Sequence, residues 1–155
     1  MVVNAIRRIF ASWSLPLVLL GVLLWYLALA TYPRPSFWYQ IEDIVVFDVP
    51  EGEEIVLDVD REIRRPFTAR WSVLVREYSE SASGWEIVCV ARGHGDYRPD
   101  ATLPEPLTLR WWTNGQCPQL EPGRYMISTV WRIDAPTLGE RVVARDSNIF
   151  VVGDE

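Results

Sequence analysis

The chain has 155 residues, 15 basic residues that are all arginine, 21 acidic residues and a net charge of −6. Every acidic residue lies at Glu42 or later, so positions 42–155 set 12 arginines against 21 carboxylates, a net −9. A body this acidic repels phosphate backbones, which sets the chain against nucleic-acid binding.

From Ile9 to Pro33 no residue is charged, and 15–30 reads LPLVLLGVLLWYLALA. About 20 helical residues span a bilayer core of about 30 Å, so this run is long enough to cross. Trp13 stands near one boundary, and Trp25, Tyr26, Tyr32, Phe37, Trp38 and Tyr39 crowd toward the other, as in an aromatic belt at the headgroups. Arg7 and Arg8 precede the run and only Arg34 follows closely, which by the positive-inside rule leaves the N-terminus in the cytoplasm. The competing reading is a cleaved signal peptide, with Ala28-Leu29-Ala30 as the small-residue site. The length of the run and the bulky Trp25 and Tyr26 before that site favour an anchor, and either reading exports the rest. The expected organisation is a cytoplasmic N-terminus at 1–8, a transmembrane helix at 9–32, a linker at 33–40 and an extracytoplasmic β-sandwich at 41–155. That makes a single-pass protein of the cell inner membrane with a periplasmic C-terminal domain, and the lipid bilayer its first expected partner.

Beyond the proline-punctuated connector Tyr32-Pro33-Arg34-Pro35-Ser36 the periodicity changes to alternation. Ile55, Leu57 and Val59 fall on one face of a strand, and Trp71, Val73 and Val75 on one face of the next. Alternating stretches at 41–49, 54–60, 68–78, 85–91, 107–112, 125–133 and 141–152 make seven predicted strands. Glu51-Gly52, Arg65-Pro66, Ser83-Gly84, Arg98-Pro99, Pro104, Pro122-Gly123 and Leu138-Gly139 separate them. Nothing between them carries a helical stripe, so the fold class is all-β: a seven-stranded antiparallel β-sandwich behind one helix.

Leu120-Glu121-Pro122-Gly123-Arg124-Tyr125 ahead of the 126–133 strand looks like the tyrosine corner of immunoglobulin-like and fibronectin-III-like sandwiches. The resemblance covers Ile41 to Val152 and implies the Ig-like fold, with the Tyr hydroxyl bonding upstream backbone; it implies nothing about function. Cys89 and Cys117 depart from the antibody pattern, since Cys117 falls in the loop before the corner. The front helix, Arg64-Arg65-Pro66-Phe67-Thr68-Ala69-Arg70-Trp71, and Trp111-Trp112 ahead of Cys117 also resemble uncharacterised membrane-anchored proteins of phages and prophages of GC-rich bacteria. No activity follows from that likeness.

The two cysteines form an even pair in an exported, oxidising setting, so a Cys89–Cys117 disulfide is expected over two buried thiols. Catalytic signals are weak. His94 is the one histidine and sits in a Gly-rich stretch; with Asp96 and Asp100 it makes a thin metal set. No Gly-x-Ser-x-Gly elbow supports a triad, and Glu51, Glu53, Glu54, Asp58 and Asp60 lack EF-hand spacing. We therefore expect no enzyme, cofactor or metal.

The tryptophans carry the binding expectation. If 107–112 is a strand with Leu107, Leu109 and Trp111 inward, then Thr108, Arg110 and Trp112 face out, and an exposed Trp beside an Arg is the composition of a binding hot spot. The expected function is a membrane-anchored, non-enzymatic interaction module in a bacterial or phage envelope. It binds a protein partner or itself as a homo-oligomer, through Trp112, Arg110 and Thr108 or by strand addition at a sheet edge. The alternative is a module that binds cell-wall polysaccharide on an exposed Trp.

Overall fold

The computed structural model describes residues 15–28, 34–135 and 139–153. The chain divides into two compact units, Met1–Arg34 and Pro35–Glu155.

In the first unit, 15–28 is helical (α1), with its leucines and valines exposed on all sides. At about 1.5 Å per residue its 14 described residues extend about 21 Å, short of a bilayer core of about 30 Å. Among the described residues no helix is long and apolar enough to cross a membrane. The remainder of the expected 9–32 helix, and the expected cytoplasmic 1–8, lie outside the described residues.

The second unit is a β-sandwich-like body of two antiparallel sheets. A short 3₁₀ turn at Pro35–Phe37 leads into β1 (Tyr39–Val46), followed by β2 (Val56–Ile63), β3 (Phe67–Ser79), β4 (Gly84–Tyr97), β5 (Leu107–Thr108), the helical turn α2 (Leu109–Trp112), β6 (Gly123–Ala135), β7 (Gly139–Asp146) and β8 (Phe150–Val152). One sheet runs β1-β2-β5; the other runs β4-β3-β6-β7, with β8 on β6. Among the described residues eight strands replace the expected seven, because the last stretch breaks at Ser147-Asn148-Ile149, between β7 and β8. There the Ile127 N–H donates to Ser147 Oγ at 2.9 Å, interrupting the ladder on β6.

The core fills with the inward side chains that alternation selects, among them Ile44 and Leu57 from one sheet and Val73, Val75, Ile127 and Ile133 from the other. The expected linker at 33–40 needs correction: Trp38 and Tyr39 are buried, and Phe37 packs against the same core. These rings take part in the body's own packing. Tyr39 meets Trp131 edge-on at 5.1 Å, and Phe67 stacks on Tyr97 at 4.7 Å.

Both sheets protect an outer edge by the same device. On β1, the Val46 N–H donates to Asn148 Oδ1 at 2.7 Å and Asn148 Nδ2 donates to the Val46 carbonyl at 2.9 Å. On β4, the Arg92 N–H donates to Gln116 Oε1 at 3.0 Å and Gln116 Nε2 donates to the Arg92 carbonyl at 2.7 Å. A carboxamide has the donor and acceptor of a peptide group, so each one stands in for a neighbouring strand and blunts the edge. The strand-addition route meets this obstacle at the middle of β4.

Near the start of β6 the Tyr125 hydroxyl donates to the Glu121 carbonyl at 2.8 Å, the backbone bond expected of that tyrosine. Burial, with Glu77 and Glu121 nearby, pushes its pKa up to about 12, and burial also raises Tyr39 and Tyr97. A raised folded-state pKa means that the unfolded chain ionises first. The stabilising contribution is whole below about pH 10 and disappears between about pH 10 and 12 for Tyr125. Denaturant titrations should show stability falling as pH rises through this window. Tyr125→Phe should cost about 1 kcal/mol at neutral pH and make the alkaline slope shallower; an unchanged slope would remove Tyr125 from this account.

Candidate binding cleft

The stretch Leu107-Thr108-Leu109-Arg110-Trp111-Trp112 leaves the strand conformation after two residues. Thr108 is extended and caps the turn, its Oγ1 accepting from the Trp111 N–H at 3.3 Å. The Thr113 N–H and hydroxyl both donate to the Leu109 carbonyl, at 2.9 and 2.8 Å. Asn114 and Gly115 then take positive φ, 53° and 67°, and end the turn as left-handed residues do.

The change of period reverses the tryptophans. In a helical turn, residues three apart share a face, so Leu109 and Trp112 go inward together. Trp112 is 7% exposed and its indole N–H donates to Thr129 Oγ1 at 3.0 Å in the core; Trp111 is 53% exposed. The expected outward Trp112 is therefore corrected to a buried anchor, and the outward ring is Trp111. Arg110 is exposed and Thr108 half-exposed.

Thr108, Arg110 and Trp112 do come together, on the wall of one cleft of about 590 Å³. Both sheets and α2 contribute to it. Arg61 comes from β2, Trp71 from β3, His94 and Tyr97 from β4, and Trp131 from β6. Trp111 and Asn114 complete the rim beside α2. The volume lies in the range of about 300–1,000 Å³ usual for small-ligand sites. Sequence reading missed Arg61, Trp71, His94, Tyr97 and Trp131 as partners of α2, since only the folded layers bring them together.

The rings form a continuous path. Trp111 lies 6.4 Å from Trp112, and Trp112 meets Trp131 edge-on at 6.0 Å. Trp71 lies across β4 at Gly93, where an added Cβ would sit 2.4 Å from its ring. Only a residue without a side chain allows that approach.

The cleft is also unusual in charge. Among the described residues no carboxylate lines it, although the body is strongly acidic. Arg70 and Arg132 on the second sheet share Glu140, whereas Arg61 and Arg110 form no ion pair among the described residues. Arg61 lies close enough to the buried Tyr39 and half-buried Tyr97 for its charge to offset part of the rise that burial causes.

The rim is fastened to β4. Cys89 on β4 bonds Cys117, with Cα atoms 5.7 Å apart, and Gln116 clamps Arg92 as described. The loop after α2 thus cannot swing away from the edge without breaking both ties. Among the described residues no group of three or more His, Cys, Asp or Glu is placed to hold a metal, and His94 lies in β4 on the cleft wall.

No family model matches the chain, and no curated protein matches it. The fold and the cleft define the class: an all-β, two-sheet body with an aromatic, arginine-bearing cleft between its layers.

Two outcomes are expected. Replacing both cysteines by serine should lower stability by about 3.5 kcal/mol on the chain-entropy model for this loop. Gly93→Ala should cost about 1–3 kcal/mol by forcing the Trp71 ring aside. Chemical denaturation measures both, and a neutral Gly93→Ala would mean that Trp71 does not lie over β4.

Proposed function

We propose that the chain is a membrane-tethered, non-enzymatic binding module that holds a cell-wall glycan in the cleft between its sheets. The observation that carries this reading is Trp111, a large flat ring exposed beside Arg110 on the rim of a cleft walled by further aromatic rings. Sugar rings stack their C–H faces on such indoles, and Asn114 and Thr108 offer hydrogen bonds to hydroxyl groups. The rim is fixed by a disulfide and a side-chain clamp, which reduces the ordering cost of binding.

The tether and location rest on the sequence. The uncharged run from Ile9 to Pro33 has the length and composition of an anchor, and an α1 that is apolar on every side needs an apolar surrounding. A paired Cys89 and Cys117 suits an exported, periplasmic body. The immunoglobulin-like or fibronectin-III-like reading draws support from the β1-β2-β5 and β4-β3-β6-β7 order and from the Tyr125 bond; the phage-envelope setting remains part of the proposal.

A second reading, a protein partner or homo-oligomer, is favoured by a different surface. Ile87, Val88 and Val90 on β4 are all exposed, and apolar side chains clustered on one strand suit a protein contact.

Full-length protein in detergent micelles should pellet with purified cell-wall sacculi. Trp111→Ala should weaken that binding at least about tenfold, as loss of a hot-spot ring does. Its thermal midpoint should barely move, because an exposed ring adds little to stability. Absence of pelleting, or equal pelleting of the variant, would contradict the reading.

A further inference from the structure

We infer that the cleft recognises a carboxylate-bearing sugar, one ring stacked on Trp111 and its carboxylate held by Arg61 and Arg110. This rests on the reading of the cleft as a glycan site and adds the chemical class of the ligand.

Charge placement carries the inference. The body sets 12 arginines against 21 acidic residues, so a wall bearing two arginines and no acid runs against its surroundings. Arg70 and Arg132 close on Glu140 and Arg64 closes on Glu62, and none of these three lines the cleft. Among the described residues no ion pair involves Arg61 or Arg110, and the same holds of Arg65, Arg76, Arg92, Arg98, Arg124 and Arg145, so what sets Arg61 and Arg110 apart is their place on the cleft wall. Arg61 is partly buried and stands beside the Tyr39 and Tyr97 hydroxyls. A guanidinium presents its donors in a planar fork that matches a carboxylate. The partial burial of Arg61 means less competition from water than at an open surface.

The acidic remainder sharpens the selectivity. A polyanion laid broadly across the body would meet carboxylates, and screening sets in only beyond about 8 Å at physiological ionic strength. The geometry therefore favours a single charged ring inserted in the cleft over an extended acidic polymer or an acidic peptide draped on the surface.

The test uses tri-galacturonate and its fully methyl-esterified form, which keep the same rings and differ in charge. Tryptophan fluorescence and calorimetry are read on full-length protein in micelles. The acid should bind at least about tenfold more tightly than the ester, and raising salt should narrow the gap. Arg61→Gln and Arg110→Gln should each bring the affinity for the acid down toward that for the ester; thermal midpoints check that each variant is folded. Arg61→Lys should recover part of the preference. Equal affinity for acid and ester, or no saturable binding of the acid to about 10 mM, overturns the inference. So does displacement of sacculus binding by a poly-glutamate peptide and not by the uronate. If sacculus binding still depends on Trp111 in any of these cases, the glycan-site reading stands and only the ligand class falls. If Trp111 is irrelevant to sacculus binding, both fall.

Discussion

The buried hydrogen bond from the Trp112 indole to Thr129 fixes the phase of everything around the cleft. Trp112 reaches from α2 across to β6, and its ring packs edge-on against Trp131. An indole N–H left unpaired in the core would cost about 1–3 kcal/mol, so the ring has one good place to be. With Trp112 held inward, the helical turn must hold Trp111 outward and leave Arg110 beside it. The exposed ring and the arginine are therefore consequences of a packing decision made one residue later in the chain.

The ties to β4 complete that constraint. Sequence places Cys117 and Gln116 directly after the Asn114-Gly115 terminator, and the fold brings both to the edge strand. The disulfide holds the loop covalently, while the Gln116 carboxamide satisfies the peptide group of Arg92. A single loop thus closes one end of the cleft and covers the middle of a 14-residue edge strand that would otherwise offer free donors and acceptors to any neighbour. Asn148 does the same for β1, so edge protection by a side-chain amide is a recurring solution in this body.

Much of this was legible from residues. Alternation located the strands, because each has one buried face and a period of two. Tyr125 after Pro122-Gly123 announced its backbone bond, and the even cysteine pair announced the disulfide. The failure at 107–112 is instructive. Leu107 and Leu109 are buried as a strand requires, but Leu109 and Trp112 are also three apart, as a helical turn requires, and six residues do not separate the two periods. The available signal was at the flanks, where Thr108 is a capping residue and Asn114-Gly115 a helix stop. The split of the last strand hid for a related reason: Ser147 and Asn148 leave the ladder to bond β6 and β1, and those partners are distant in sequence. The assembly of Arg61, Trp71, Tyr97 and Trp131 around α2 was beyond any local pattern.

The most direct test of this account is hydroxyl-radical footprinting of the full-length protein, read by mass spectrometry at Trp111 and Trp112. A buried Trp112 and an exposed Trp111 predict rapid labelling at Trp111 and strong protection at Trp112. Protection of Trp111 with rapid labelling of Trp112 would restore the extended strand, and with it the cleft described between the sheets would be lost.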